Sequence, residues 1–343
     1  MPESADPRMP NPSLSICIAT FNRARYIGAT IDSILPQLDA STELVIVDGA
    51  STDETPAMVA EYQRRSSRIR YHRQTINGGV DRDFAAAVDL ARGRYCWLFA
   101  DDDLFRPGAV ARLQAHLNEG HSLLIVNTEV RNADMSRILV ANRIGFHEDR
   151  VYEAGEDDRL FAETSFYLTF IGAVVIDRLL WQERDKQAYF GSEFIHFGVI
   201  FQAPLPGSTR VIAEPLTEIR YGNAMWTARG FEIWMLRWPA LVWSMPRSDG
   251  AKRKVVPRQR WRRPLMLLGH RAMGTYSIEQ YERWIAPQDP PRWPGFVARA
   301  IARIPGRALN AVARLIVSLL PRTKLQMLAV DLRNSRFAGR QGR

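Results

Sequence analysis

Asp101, Asp102 and Asp103 are consecutive carboxylates at the end of an apolar run of strand length, Tyr95-Cys96-Trp97-Leu98-Phe99-Ala100, and Leu104-Phe105-Arg106-Pro107-Gly108 follows them. Mutual repulsion raises the pKa values of adjacent acids, so three in a row call for water or a cation, and hard divalent cations prefer such oxygen ligands. The chemistry would be that of a metal and phosphate site; a solvated acidic loop is the competing reading. A further acid, Asp48, closes a second apolar run, Glu43-Leu44-Val45-Ile46-Val47, and Thr20-Phe21-Asn22-Arg23 closes a third, Leu14 to Ala19. Far downstream, Glu193 and His196 lie three residues apart in a stretch rich in aromatics and glycine, 189–201. On a helix that spacing would put both on one face.

These residues need elements to carry them. The runs 14–19, 43–47, 69–72 and 94–100 predict strands, and the spacing of Ile27, Ile31, Ile34 and Leu35 and of Met58, Val59 and Tyr62 predicts helices between them. Ser51 or Thr52 is placed to cap the second helix, and a third runs from about Arg82 to Ala91 after the turn Asn77-Gly78-Gly79. A helix over 109–117 leads to a strand at 123–126. The stretch 131–159 gives no assignment, 168–176 reads as a strand, and 210–213 and 217–221 read as two short strands. Strands alternating with helices argue for a mostly parallel α/β sheet flanked by helices, in which ligands bind beyond the carboxyl ends of the strands. Asp48, Asp101 to Asp103, Phe21 and Asn22 all follow such ends, which favours a site over a solvated loop.

The whole chain sets the context. Its 343 residues carry a net charge of +9, but residues 251–343 hold 20 Lys/Arg and 4 Asp/Glu while residues 1–250 hold 26 and 33. An acidic body with a basic tail points to a polyanionic partner, an anionic membrane or nucleic acid. No apolar run reaches the ~18–20 residues of a membrane span, and 1–13 reads as a polar, disordered tail without a secretory signal. Cys17 and Cys96 fall within strands and read as core residues of a cytoplasmic protein.

Taken together, Ser15-Ile16-Cys17-Ile18-Ala19-Thr20-Phe21-Asn22-Arg23, Val45-Ile46-Val47-Asp48-Gly49-Ala50-Ser51-Thr52-Asp53, Asn77-Gly78-Gly79 and Asp102-Asp103 with Pro107 resemble, in order and spacing, the family 2 glycosyltransferases of the GT-A fold. The runs Gly78-Gly79-Val80-Asp81-Arg82-Asp83 and Gly93 to Phe99 look like the abequosyltransferase-type branch, which adds a dideoxyhexose to lipid-linked O-antigen units. The resemblance implies a Rossmann-like GT-A domain over 14–230, with a nucleotide-sugar-binding half at 14–125 and an acceptor half at 126–230, followed by a basic helical region at 231–343. It implies inverting transfer from a nucleotide-sugar donor with a divalent cation, Mg²⁺ or Mn²⁺. By position, Thr20, Phe21, Arg23, Asp48, Arg82 and Asp102 would bind the donor, with Phe21 stacking on the nucleobase and Asp48 on the nucleoside. Asp103 would ligate the cation, and Glu193 or His196 would be the base. Two positions depart from the family pattern: Ala100 stands where an acid is usual two residues before the last Asp pair, and Gly49 where an acid often follows Asp48. Asp101, a displaced extra acid, is expected to matter least.

In the tail, Arg299, Arg303, Arg307 and Arg314 line one face and Val297, Ile301, Ile304, Ala308, Val312, Leu315 and Leu319 a largely separate one, interrupted at Pro305. Such a helix can lie in the headgroup layer of an anionic membrane at the inner face of the cytoplasmic membrane, which would suit a lipid-linked saccharide acceptor; the alternative is that it packs on the catalytic domain. No nucleic-acid module accompanies the charge, so no nucleic acid is expected. A transferase of a common hexose or N-acetylhexosamine and an inactive GT-A binding module are the alternative functions.

Overall fold

A computed structural model describes residues 12–223, 228–288, 293–320 and 325–337, so most of the expected N-terminal tail lies outside the described residues. The chain divides into two compact units, residues 1–129 with 141–219, and residues 130–140 with 220–343.

The first unit is built on a sheet whose parallel part runs β3 (Ile69–Arg73), β2 (Thr42–Asp48), β1 (Leu14–Thr20), β4 (Tyr95–Phe99). Beyond β4 the sheet turns antiparallel: β9 (Val174–Asp177) pairs with β4, and β6 (Leu123–Arg131), β10 (Thr209–Arg220) and β5 (Leu104–Phe105) follow. Short strand β8 (Arg150–Tyr152) pairs with β10, and in the second unit β7 (Ile138–Val140) pairs with Val130 and Arg131 at the end of β6. β1, β2 and β4 are buried along their whole length, as their unbroken apolar runs require of strands covered on both faces. The crossovers are α1 (Ala24–Ile34), α2 (Thr55–Arg65) and α3 (Val80–Leu90). Ile27, Ile31 and Ile34 of α1 join Ile16, Ile18, Trp97, Phe99 and Leu113 in one core. α4 (Ala109–Leu117), α5 (Asp157–Thr164), α6 (Arg178–Glu183) and α7 (Ile195–Phe201) complete the unit.

Several local expectations change. Only Val174–Asp177 of the stretch 168–176 is a strand; residues 167–169 and 171–173 form 3-10 turns, and the Gly172 carbonyl accepts the Trp97 indole N–H at 2.9 Å. The two short strands after 209 are one, Thr209–Arg220. Ser51 does not cap α2, which starts at Thr55; its hydroxyl instead accepts the Asn22 N–H at 2.8 Å and ties the β2 turn to the β1 turn.

At the amino ends of the strands, Ser15 donates to Glu43 Oε1 at 2.6 Å and accepts from the Gly93 N–H at 2.8 Å. Gly93 is required there: a Cβ would stand 2.6 Å from the Ser15 backbone nitrogen.

In the second unit, α8 (Gly230–Glu232) runs through a π turn into α9 (Trp238–Ser244), followed by α10 (Asp249–Val255), α11 (Pro264–Met273), α12 (Ile278–Gln280), α13 (Trp293–Arg303), α14 (Gly306–Leu319) and α15 (Gln326–Arg333). Phe231, Met235, Trp261, Tyr276, Ile285, Ala298 and Ile301 form its core. α14 turns its polar Asn310 inward, where the amide donates to the Ala272 and Leu332 carbonyls at 3.1 and 3.0 Å. Its apolar Leu315 and Leu319 face outward, 61% and 77% exposed. Among the described residues no helix is long and apolar enough to cross a membrane.

Two predictions follow from the packing. Gly93→Ala forces a Cβ into the β1 backbone and should cost about 1–3 kcal/mol, lowering Tm by several degrees in a melt. Burial also holds His196 neutral, with its pKa lowered to about 4, and His270, lowered to about 3. On acidification the unfolded chain takes up these protons first, so stability falls as pH drops from about 6.5 toward 4. Melts across that range should show a steeper loss in the wild type than in His196→Gln.

Candidate active site

The strand order reverses between β1 and β4, so the connections leaving their carboxyl ends diverge and open a crevice between them. Thr20-Phe21-Asn22-Arg23 leaves β1, and Ala100 to Asp103 leaves β4. Arg23 spans the gap: its Nε lies 3.2 Å from Asp101 Oδ1 and a terminal guanidinium nitrogen 3.0 Å from Asp102 Oδ2. All three side chains are largely buried, so the pairs are weakly screened. Asp101 therefore does more than its sequence position suggested. Burial and the adjacent Asp102 push its pKa up to about 7, while Arg23 and the Thr20 hydroxyl beside it act in the opposite direction. Asp103 is buried, and its carbonyl accepts the Thr30 hydroxyl of α1 at 2.9 Å, which fixes the backbone that carries the acid.

Next to this crevice, the β1 and β2 turns are laced together. Asn22 and Ala50 adopt left-handed conformations, φ 55° and 66°, and Asn22 Oδ1 accepts the Thr52 N–H at 2.7 Å. Phe21 is half-buried at the rim. Asp48 is fully buried, and both carboxylate oxygens are engaged: Oδ1 accepts the Ser51 N–H at 2.7 Å and Oδ2 the Tyr71 hydroxyl at 2.6 Å.

The third part of the rim is the first turn of α3. Asp81, 3% exposed, accepts the backbone N–H groups of Glu193 and Ile195 at 2.9 and 3.1 Å, so it organises the loop that enters α7. Burial raises the Asp81 pKa, and these N–H groups with those of Gly191 and Ser192 oppose the rise. Arg82 is exposed and lies over the Phe190 ring at 4.5 Å. Asp83 is buried on the opposite side, with its pKa pushed up to about 6 by burial and by Asp48.

Glu193 and His196 do not share a helix face. Glu193 precedes α7 in a left-handed conformation, φ 70°, and is half-buried. A non-glycine residue in that region costs of the order of 1–3 kcal/mol and persists where surrounding bonds fix it, as those to Asp81 do. His196 is inside α7, 1% exposed, with Nε2 2.7 Å from the Leu168 carbonyl. The structure thus brings Thr20, Phe21, Arg23, Asp48, Asp102 and Asp103 together around the strand ends and packs His196 in the core. Sequence reasoning passed over Asp81 and Asp83. Their signal was two acids bracketing Arg82 in the first turn of a helix, a spacing that sends them to different faces.

Among the described residues no cluster of three or more His, Cys, Asp or Glu side chains is arranged to enclose a metal. The donors after β4 are carboxylate oxygens alone. Such a set fits Mg²⁺ or Mn²⁺ arriving with diphosphate oxygens and water, and does not fit a closed protein cage.

Comparison with known proteins agrees with this geometry. Residues 15–175 match the family described as Glycosyl transferase family 2. Abequosyltransferase RfbV of Salmonella typhimurium is 27% identical over 230 residues, 63% of this chain and 69% of that protein. The GalNAc(5)-diNAcBac-PP-undecaprenol beta-1,3-glucosyltransferase of Campylobacter jejuni is 27% identical over 186 residues, 53% of this chain and 57% of that protein. Among solved structures, S. aureus TarS 1-349 in complex with UDP-GlcNAc superposes with a TM-score of 0.55 at 16% identity, covering 94% of this chain and 89% of that one. Mannosyltransferase PcManGT from Pyrobaculum calidifontis, in complex with GDP-Man and Mn²⁺, gives 0.52 at 15% identity, covering 94% and 87%. These last two carry the GT-A fold. Residues 15–175 are thus similar to glycosyl transferase family 2, and with the relatives named as glycosyltransferases they support a nucleotide-sugar-dependent glycosyltransferase.

Proposed function

We propose that the protein is an inverting transferase that moves a sugar, of the deoxy- or dideoxyhexose type, from a nucleotide-sugar donor to a hydroxyl of a lipid-linked saccharide in surface-polysaccharide assembly. The observation that carries this reading is the crevice between β1 and β4, where Arg23, Asp102 and Asp103 meet at the strand ends. The donor lies across it with the nucleoside toward β2, against Phe21 and the wall that Asp48 and Tyr71 brace, and the diphosphate toward Asp102 and Asp103. Asp103 holds the divalent cation and Asp102, oriented by Arg23, faces the ribose. The cation, when bound, offsets the charge that develops on the departing nucleoside diphosphate. Arg82, exposed beside Phe190, flanks the donor from the α3 side.

Glu193 takes the proton of the acceptor hydroxyl. Its loop is tied by Asp81 to the helix turn at the same rim, whereas His196, buried and bonded to Leu168, has no path to an acceptor. The abequosyltransferase and the undecaprenol-linked glucosyltransferase among the relatives support the sugar and acceptor classes.

The acceptor class also calls for a membrane surface. α14 presents Val312, Leu315, Ile316 and Leu319, 52–77% exposed, with Arg307 and Arg314 exposed beside them. An apolar stripe flanked by arginines fits the headgroup layer of an anionic bilayer, and peripheral attachment at the cytoplasmic face follows.

Two tests address these points. With a nucleotide-sugar panel and a lipid-linked acceptor, Asp103→Asn and Glu193→Gln should each lower kcat by about 10²–10⁴, while His196→Gln keeps more than a tenth of turnover. Full activity in Asp103→Asn, or loss confined to His196→Gln, would contradict the assignments. In flotation with vesicles containing anionic lipid, Leu315→Glu combined with Leu319→Glu should abolish recovery of the protein in the lipid fraction. Unchanged flotation would exclude α14 as the contact.

A further inference from the structure

Seven of the twelve residues 252–263 are Lys or Arg, and none of the twelve is acidic. The segment is held in place rather than left as a loose tail. Ala251, Val256 and Trp261 are buried at intervals of five residues, and the Val256 carbonyl accepts the Trp243 indole N–H at 3.1 Å. Between these pins the cations turn outward: Lys254, Arg258, Arg262 and Arg263 are exposed. Arg258 lies over the Trp243 ring at 5.6 Å, and Arg260 donates to the Trp234 carbonyl at 3.4 Å. Among the described residues, neither of these arginines nor Arg263 has a carboxylate partner. Burial and the neighbouring Arg263 both lower the Arg260 pKa, so the cluster repels itself and gains from an anion brought from outside. Directly after the last arginine, α11 opens with two apolar side chains in water: Leu265 is 79% and Met266 41% exposed, whereas Leu267 is buried.

We propose that residues 252–266 form a second membrane contact, in which Arg258, Arg260, Arg262 and Arg263 meet the phosphates of anionic lipid headgroups and Leu265 and Met266 enter the layer beneath. This rests on the reading of the chain as membrane-attached and adds to α14 a contact whose strength follows lipid charge. A fixed basic segment ending in an exposed apolar pair matches the order of layers in an anionic bilayer, phosphate outside and acyl chain below. A free phosphate would satisfy the arginines but leave Leu265 and Met266 in water, so the bilayer is the partner that answers both features. One weak membrane signal gives only marginal, reversible binding, and a polybasic patch is the kind of second signal that makes attachment stable. Each cation held near an anionic surface contributes about 5-fold in partitioning, and salt screens that gain.

The test is flotation of the full chain with vesicles of phosphatidylcholine alone and of phosphatidylcholine mixed with phosphatidylglycerol, at low and high salt. Wild-type protein should partition at least about 10-fold more strongly onto the mixed vesicles, and high salt should remove most of that gain. Lys254→Gln, Arg258→Gln and Arg263→Gln combined, all at exposed positions, should weaken partitioning onto the mixed vesicles by at least about 10-fold. Leu265→Ser with Met266→Ser should weaken it by at least about 5-fold. Inorganic phosphate at matched ionic strength should not displace the protein. Undiminished partitioning of the triple variant would overturn this proposal and leave the α14 contact standing. Displacement by phosphate, together with wild-type flotation of the Leu265, Met266 variant, would mark the cluster as a site for a free anion and overturn it as well. Failure of folded wild-type protein to float with either vesicle would overturn the membrane reading and this proposal with it.

Discussion

Negative charge gathered at the end of a fully buried strand is the constraint that organises this molecule. β4 delivers Asp101, Asp102 and Asp103 into a site that is largely shut off from solvent, where like charges repel strongly. Arg23 makes the arrangement tolerable by pairing with Asp101 and Asp102 at once. Because Arg23 leaves β1 and the acids leave β4, the same ion pairs join the two connections on either side of the switch point. Removing the arginine would leave uncompensated buried charge, so the pair is a structural requirement in its own right. Asp101 holds one side of the Arg23 guanidinium and Asp102 the other.

A second constraint comes from the first turn of α3. Its residues carry three tasks in three directions. Asp81 gathers the backbone N–H groups of the loop ahead of α7, Arg82 lies on Phe190, and Asp83 fills the space beside Gly49. The β2 turn and the loop ahead of α7 are thus referred to one rigid turn, which is how a loop residue with φ 70° keeps a fixed position. Helix starts sit at the carboxyl rim of a parallel sheet, so a single turn can serve both sides of a crevice.

Much of this was legible in the chain. The unbroken apolar runs of β1, β2 and β4 marked buried parallel strands, and the acids just after them lie, as expected, at the carboxyl ends of those strands. α4 spans the expected residues 109–117. What could not be read was set by tertiary contacts. The β-branched stretch at 168–176 has strand propensity, but the Trp97 indole claims the Gly172 carbonyl, and only its last three residues, 174–176, pair. Glu193 and His196 have helical spacing, but Asp81, more than a hundred residues earlier, captures the backbone at 193 and 195 and holds Glu193 out of the helix. Amphipathic spacing in the tail identified α14 correctly yet left open which face is buried. The amide of Asn310 settles that by turning inward and leaving the leucines outside.

The central claim is that Asp103 presents its carboxylate to a cation held on the donor diphosphate. Anomalous diffraction at the manganese absorption edge, from crystals grown with a nucleoside diphosphate and Mn²⁺, measures this directly. The account predicts one strong peak at metal–oxygen bonding distance, about 2.2 Å, from the Asp103 carboxylate and from diphosphate oxygens. A bound diphosphate with no manganese at Asp103, or manganese ligated by other residues, would contradict it.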